Sequence, residues 1–517
     1  MNESYKKSNA RFLVALTPLV VLAAFALFWN LGDRLLWGDE AETAVLAVNI
    51  TKFGIPLATD GRNYITLIGA GRDTNASDVW VWSPWLDEYI AAASFAVLGE
   101  STTAARLPFA LIGFLAVLFM PFLAQQIYRR NELTFTATLL FVTNVSMLLH
   151  ARQCRYYSVV MLAQMTLLFG VHRILLRRNG TGITVVVLSL TAQFYCNYVL
   201  ALSNLLAVLA SVPLLRRRRP YLMRPALVSV GVFVVLALPW LVYARSGAQT
   251  GLIGFEDFGK KAAFYIQQTH FYIVPLVLFL LPLSVRLKKR RQTQGDSGAI
   301  EKDMQAFIVV YLAAHAFVLA ITPGYYFRYL VPLMPVLVLL VSGMLCAHVT
   351  NKGLRYGIVA LLAFTNVIPM ATAYPFREKE TFGIPIVRLL RDITTPYENS
   401  LGDVIAYLRK EGRPEHAVLV PDPGFPIIFY TGMRVIDSRL NQRLNLNELP
   451  EWILEKSPAS IGPVQGMRMP PALREHYETI TLTVHDSPNG DCRPDPKYHV
   501  PFTVERKTDF TIHRRRT

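Results

Sequence analysis

The sequence predicts an α-helical polytopic membrane protein of about eleven spans, with interfacial helices and a small C-terminal extracytoplasmic α/β domain. Three observations predict it. The 517 residues are 53% apolar with a mean hydropathy of +0.33, and the apolar residues fall in runs of roughly 20, enough to cross a hydrocarbon core as helices. The basic residues between those runs form clusters that alternate with cluster-free connections. After Ala373 the composition changes to a charged, proline-containing stretch without a spanning run.

The candidate spans lie at about 12–30, 105–127, 133–150, 157–176, 182–197, 199–215, 225–244, 263–285, 304–322, 328–348 and 354–374. The first is too long for a signal-peptide core and no small-residue cleavage site follows it, so it reads as a retained helix. Basic clusters at Lys6–Arg11, Arg129–Arg130, Arg173–Arg178, Arg216–Arg224, Arg286–Arg291 and Lys352–Arg355 all fall on one side if the spans number eleven. By the positive-inside rule that side is the cytoplasm, which puts the N-terminus inside and residues 375–517 outside. The same alternation decides residues 85–98: as a span they would place most later clusters outside. With Asp87 and Glu88 and apolar residues at helical spacing, they read as an amphipathic interfacial helix, preceded by a Trp80, Trp82 and Trp85 belt. Residues 31–104 are therefore one long outer loop, and residues 1–374 the membrane part.

In the outer domain Tyr397–Lys410 reads as a helix, Ala417–Val420 as a strand, then a turn at Pro421–Gly424 leading to Ile427–Tyr430. Arg434–Asp437 reads as strand, Leu446–Lys456 as helix and Thr479–Val484 as strand. Four cysteines are no disulfide framework. Cys346 lies in an apolar run, Cys492 has no evident partner, and Cys154 and Cys196 fall near outer helix ends where a bridge is open.

The net charge of +16 is placed as topology clusters, so nucleic acid is excluded as a partner. A phosphate-binding Gly-rich loop, an HExxH zinc motif and a nucleophile elbow are all absent. The residues that remain for chemistry sit at outer helix ends. Asp39, Glu40 and Glu42 follow span one, where a carboxylate is either an N-terminal helix cap or a general base at the membrane surface. Arg106 opens span two, as a lipid anchor or a phosphate ligand. Arg152, Arg155 and Tyr156 lie between spans three and four, where outside arginines require partners: the acidic first loop or a phosphate. Arg328 and Tyr329 begin span ten, as snorkelling residues or a site for an anionic lipid head. Lys260, Lys261, His270 and Gln267–Gln268 read as structural. Carboxylates and arginines on one face suit a reaction on a phosphate-bearing lipid.

At these residues the chain resembles the GT-C glycosyltransferases, in the branch of protein O-mannosyltransferases and lipid A aminoarabinose transferases. The resemblance spans about residues 10–350 and rests on Asp39-Glu40, Trp82-Ser83-Pro84-Trp85-Leu86, Ala105-Arg106-Leu107-Pro108, the Arg152/Arg155-Tyr156 loop and Arg328-Tyr329-Leu330-Val331-Pro332. It implies an inverting hexosyl- or pentosyltransferase of a bacterial inner membrane. The donor would be a polyprenyl-phosphate sugar and the acceptor an extracytoplasmic glycan, lipid or protein. It further implies that Asp39 is the base and Glu40 a second acid or acceptor-orienting group, and that Arg106, Arg152, Arg155, Tyr156, Arg328 and Tyr329 bind donor and phosphate. Ser83 and Trp85 replace the lysine and a proline of the family's Lys-Pro-Pro-Leu element. The family's metal ligands have no placeable counterparts, so no metal or other cofactor is assigned and a divalent ion stays open. The alternative is a transporter or flippase of a lipid-linked sugar, which would carry ionisable or helix-breaking residues near span centres; a scaffold would leave the outer charges without a role.

Overall fold

The computed structural model describes residues 3–67, 73–215, 220–244, 257–284, 296–322, 324–373, 382–396, 398–421, 424–437, 449–456, 469, 471–485 and 507–516. The membrane part opens with α1 (Glu3–Phe28), α2 (Gly38–Phe53), α3 (Leu86–Leu98) and α4 (Thr102–Tyr128). It continues through α5 (Asn131–Val142), α6 (Val145–Ala151), α7 (Tyr157–Leu175), α8 (Asn179–Cys196), α9 (Tyr198–Leu215) and α10 (Met223–Tyr243). Then come α11 (Phe258–Tyr272), α12 (Leu281–Ser284), α13 (Asp296–Ile321), α14 (Leu333–His348), α15 (Lys352–Phe364) and α16 (Val367–Thr372).

Among the described residues five helical segments are long and apolar enough to cross a membrane, or six if the bent pair α5–α6 is one span. Several of the roughly eleven expected spans are therefore not continuous helices in the described residues, and local chemistry explains several breaks. The predicted span at 133–150 bends by 61° between α5 and α6, where the Asn144 side chain accepts from the Met147 N–H and starts a new helix. The span at 263–285 ends at Tyr272 and resumes as a 3-10 turn over Leu276–Leu280, because Pro275 lacks the N–H an α-helix needs there. The span at 328–348 begins as a 3-10 turn over Phe327–Leu330, with α14 starting after Pro332. The span at 354–374 breaks at Thr365–Asn366, four residues before Pro369, whose ring clashes with a carbonyl in that position.

Helices α7 and α8 approach closely through glycine. A Cβ on Gly182 would stand 2.5 Å from Ile174 Cγ1, and one on Gly170 would stand 2.9 Å from Val186 Cγ2. Backbones come this near in lipid only where small residues line the interface. Gly182→Leu is expected to force the two helices apart at a cost of about 1–3 kcal/mol, read as earlier thermal unfolding in detergent.

Two loop expectations change. Residues 86–98 are helical as predicted, but α3 turns Asp87 and Glu88 inward with Ala91, Ala92 and Phe95, while Val97 is 81% exposed. Trp80, expected in an interfacial belt, is fully buried and donates through Nε1 to Ser83 Oγ at 3.0 Å. Cys154 and Cys196 are buried free thiols, so no bridge joins them; Cys492 lies outside the described residues.

Beyond residue 381 the chain forms α17 (Pro385–Thr394), α18 (Ser400–Glu411), β1 (Ala417–Val420), α19 (Phe425–Thr431), β2 (Arg434–Asp437), β3 (Trp452–Leu454), β4 (Tyr477–His485) and β5 (Lys507–Arg515). The sheet order is β2-β1-β3-β5-β4, with β1 parallel to β2 and β3, and β5 antiparallel to β3 and β4. Strand alternation sends Val418 and Val420 to a core with Leu401, Val404, Ile405 and Leu408 of α18, and Leu419 to the opposite core with Ile436 and Ile453. The predicted helix at 446–456 is corrected: Trp452–Leu454 is β3, its three apolar residues buried on both faces as a central strand demands.

This part docks on the start of the membrane part. The Tyr430 hydroxyl receives the Leu36 N–H at 2.9 Å and lies 2.7 Å from Thr102 Oγ1. Arg34 forms an ion pair with Asp392 of α17, and Asn63 pairs with Met433 and Val435.

Candidate active site

The predicted residues converge where α1 ends, α2 and α4 begin, the α6–α7 connection passes, and the 3-10 turn at Phe327–Leu330 approaches. Asp39 does not cap α2. The cap position is Trp37, whose backbone N–H donates to Glu40 Oε2 at 3.4 Å. The Asp39 carboxylate, in the first turn, instead reaches Arg328 through Oδ2 and lies 4.0 Å from Arg155. Its side chain keeps 24% of its exposure.

Glu40, one residue on, is fully buried. Its Oε1 accepts from Arg106 Nε at 2.8 Å and from the Cys154 N–H at 2.7 Å, and its Oε2 accepts from Arg106 at 2.6 Å. Arg106 also donates to the carbonyls of Leu31, Arg34 and Leu35 at 2.8–3.1 Å. The pair therefore staples the turn between α1 and α2 to the head of α4.

Arg152 does comparable work at α1. It donates to the carbonyls of Ala26 at 2.5 Å and Trp29 at 2.8 Å, which the helix leaves without internal partners. Arg155 is held by Glu42 at 3.1 Å and Thr43 at 2.7 Å, so its partner is the acidic loop. Arg328 is the more open of the arginines around Asp39, with 25% side-chain exposure against 10% for Arg155. Its guanidinium lies 4.4 Å from the Tyr326 ring centre and 6.0 Å from that of Tyr329. Tyr156 is buried, 5.8 Å beneath Arg155 and packed edge-on to Tyr157.

Three further acids stand near the site: Glu42, named in the sequence beside Asp39 and Glu40 but given no role, and Asp87 and Glu88, which escaped the sequence reading as site residues. Glu42 shares one face of α2 with Asp39, three residues apart. Burial raises its carboxyl to about 7 although Arg155 pulls the other way. Asp87 and Glu88 of α3 are buried nearby; burial raises Asp87, and burial together with the Asp87 charge holds Glu88 well above the ordinary carboxylate range. Their signal was visible: two acids in an otherwise apolar fourteen-residue stretch call for a buried partner as readily as for water, and Arg155 is the cation facing Asp87.

Other candidates lie apart. Lys260 pairs with Asp257 on an exposed turn at 2.8 Å. His270 lies 3.1 Å from the Pro369 carbonyl and lines a cavity of about 120 Å³ between the α5–α6 bend, α16 and α17. Among the described residues no three His, Cys, Asp or Glu side chains gather as a metal site.

A partly open carboxylate between two guanidinium groups can take a proton while the arginines bind a phosphate. Among the solved structures whose fold the chain resembles are two of ArnT from Cupriavidus metallidurans. With undecaprenyl phosphate bound, that protein aligns at a TM-score of 0.57 and 14% identity over 96% of this chain and 97% of ArnT. Its apo form aligns at 0.55 and 12% over 98% of each chain. No protein-family model matches the sequence, and no curated protein matches it significantly.

Proposed function

We propose that this protein is an inverting glycosyltransferase that moves a sugar from a polyprenyl monophosphate carrier to an acceptor outside the membrane. The observation that carries the reading is Asp39: partly open, in the first turn of α2, against Arg328 and Arg155. In this reading the acceptor oxygen attacks the sugar's anomeric carbon and its proton passes to Asp39. The carbon–oxygen bond to the phosphate breaks, and the electron pair leaves with the carrier. One in-line displacement needs one base, and among the described acids of the site Asp39 is the partly open one beside the buried Glu40, Glu42, Asp87 and Glu88.

Arg328 takes the carrier phosphate, with Tyr329 and Tyr156 forming the aromatic walls beside it. Glu40 and Arg106, engaged with each other and with backbone, act as positioning residues, and Arg152 acts likewise by holding the end of α1. Arg155 orients Asp39. Residues 1–374 carry the chemistry and residues 375–517 form an outer domain over it. The N-terminus is cytoplasmic, the broken helices complete about eleven crossings, and the membrane is a bacterial inner membrane. The charge alternation of the loops supports that sidedness.

The test is mass spectrometry of polyprenyl lipids from cells with and without this protein. Accumulation of one polyprenyl monophosphate sugar in its absence is expected; an unchanged lipid pool and unchanged envelope glycans would remove the reading. Arg328→Ala is expected to weaken carrier binding by about 10–100-fold, the worth of a hydrogen bond to a charged group. Titration of the purified variant with the carrier lipid checks it.

A further inference from the structure

Arg328 and Arg155 both approach Asp39, but they are built differently. Arg155 is enclosed. Glu42 and Thr43 hold it on one side, and the buried Asp87 faces it on another. Among the described residues Arg328 is in an ion pair with Asp39 alone, with Glu42 acting on it only at longer range. Its guanidinium carbon lies 4.4 Å over the centre of the half-exposed Tyr326 ring, and the hydroxyls of Tyr157 and Tyr329 are within its reach. Stacking on a ring leaves the N–H edge of a guanidinium available to a second anion. Asp39 would not be stranded by the loss of Arg328, since Arg155 stays 4.0 Å away, anchored by its other partners.

We infer that Asp39 and the carrier phosphate share one place on Arg328, so that donor binding releases the base and must precede acceptor binding. This rests on the proposed transferase reading. The charge balance of the reaction supports it. The donor phosphate carries one negative charge and gains a second as the sugar leaves, while Asp39 loses its charge on accepting the acceptor's proton. The negative charge thus migrates from Asp39 to the phosphate across the guanidinium that touches the first and binds the second. Arg328 stabilises both ends of that transfer without leaving its ring.

The exchange makes an unusual prediction about binding of undecaprenyl phosphate to the purified full-length protein in detergent. Removing the competing carboxylate with Asp39→Asn is expected to tighten binding by about tenfold, since the lipid no longer displaces a charge-assisted hydrogen bond. In the Arg328→Gln background the same substitution is expected to change nothing. A gain that persists without Arg328 would show plain repulsion between Asp39 and phosphate and overturn the exchange. Unchanged or weaker binding by Asp39→Asn would overturn it as well. Where Arg328→Gln melts early, Arg328→Lys keeps the cycle readable: the ammonium retains the charge but not the fork, and the gain is expected to shrink. A wild-type protein that binds no undecaprenyl phosphate would remove the transferase reading itself, and the exchange with it.

Discussion

Asp39→Asn is expected to lower turnover by about 10²–10⁴-fold, the usual contribution of a positioned general base, while the protein inserts and folds as before. The amide keeps the shape of the carboxylate and can still meet its neighbours, so the folded state loses the charge of two partly exposed ion pairs, with Arg328 and Arg155, each of small net worth. What it cannot do is accept a proton. The measurement is a single-turnover rate with saturating donor and acceptor, alongside a thermal melt in the same detergent. A variant that melts normally and turns over near the wild-type rate would take the base role from Asp39. Glu42 would then be the next carboxylate to test, since it shares the face of α2 and its carboxyl sits at about 7.

The largest effect on stability is expected from Arg106→Ala. Its partner Glu40 has no exposed surface, and the guanidinium binds both of its oxygens and three backbone carbonyls of the α1–α2 connection. Truncation leaves a buried carboxylate without its cation and carbonyls without donors, at a cost of about 3–5 kcal/mol. Arg106→Lys is expected to recover little of this, because one ammonium cannot reproduce a planar fork serving two carboxylate oxygens and a turn. Thermal unfolding in detergent checks both. The decisive contrast is with Arg328→Ala: Arg106→Ala is expected to lose folded protein, and Arg328→Ala to lose carrier affinity in protein that remains folded. The reverse pattern would exchange their assignments.

That contrast marks how far the residues could be read in advance. At Asp39, Arg106, Arg152, Arg155 and Arg328 the sequence showed charge in the wrong place for packing, at helix ends facing outward. It could not apportion the charges, because phosphate binding, helix capping and ion pairing ask for the same residue type at the same depth. Only the folded chain shows Arg152 on the last carbonyls of α1, Arg106 locked to Glu40, and Arg328 on the open carboxylate. Asp87 and Glu88 were read by their own helix alone, as residues for the water face. A contact from a segment some seventy residues away turned that face inward.

By itself the sequence determined the membrane class, the order of apolar segments, the alternation of basic loops and the placing of Asp39 at a helix exit. These depend on composition and local period, which a chain carries whether folded or not. The tertiary structure decided where spans break and restart, which arginines are already satisfied and which carboxylate stays within reach of solvent. Those outcomes depend on long-range partners: a buried charge is stable only beside its counter-ion, and which counter-ion arrives is set by how distant helices pack.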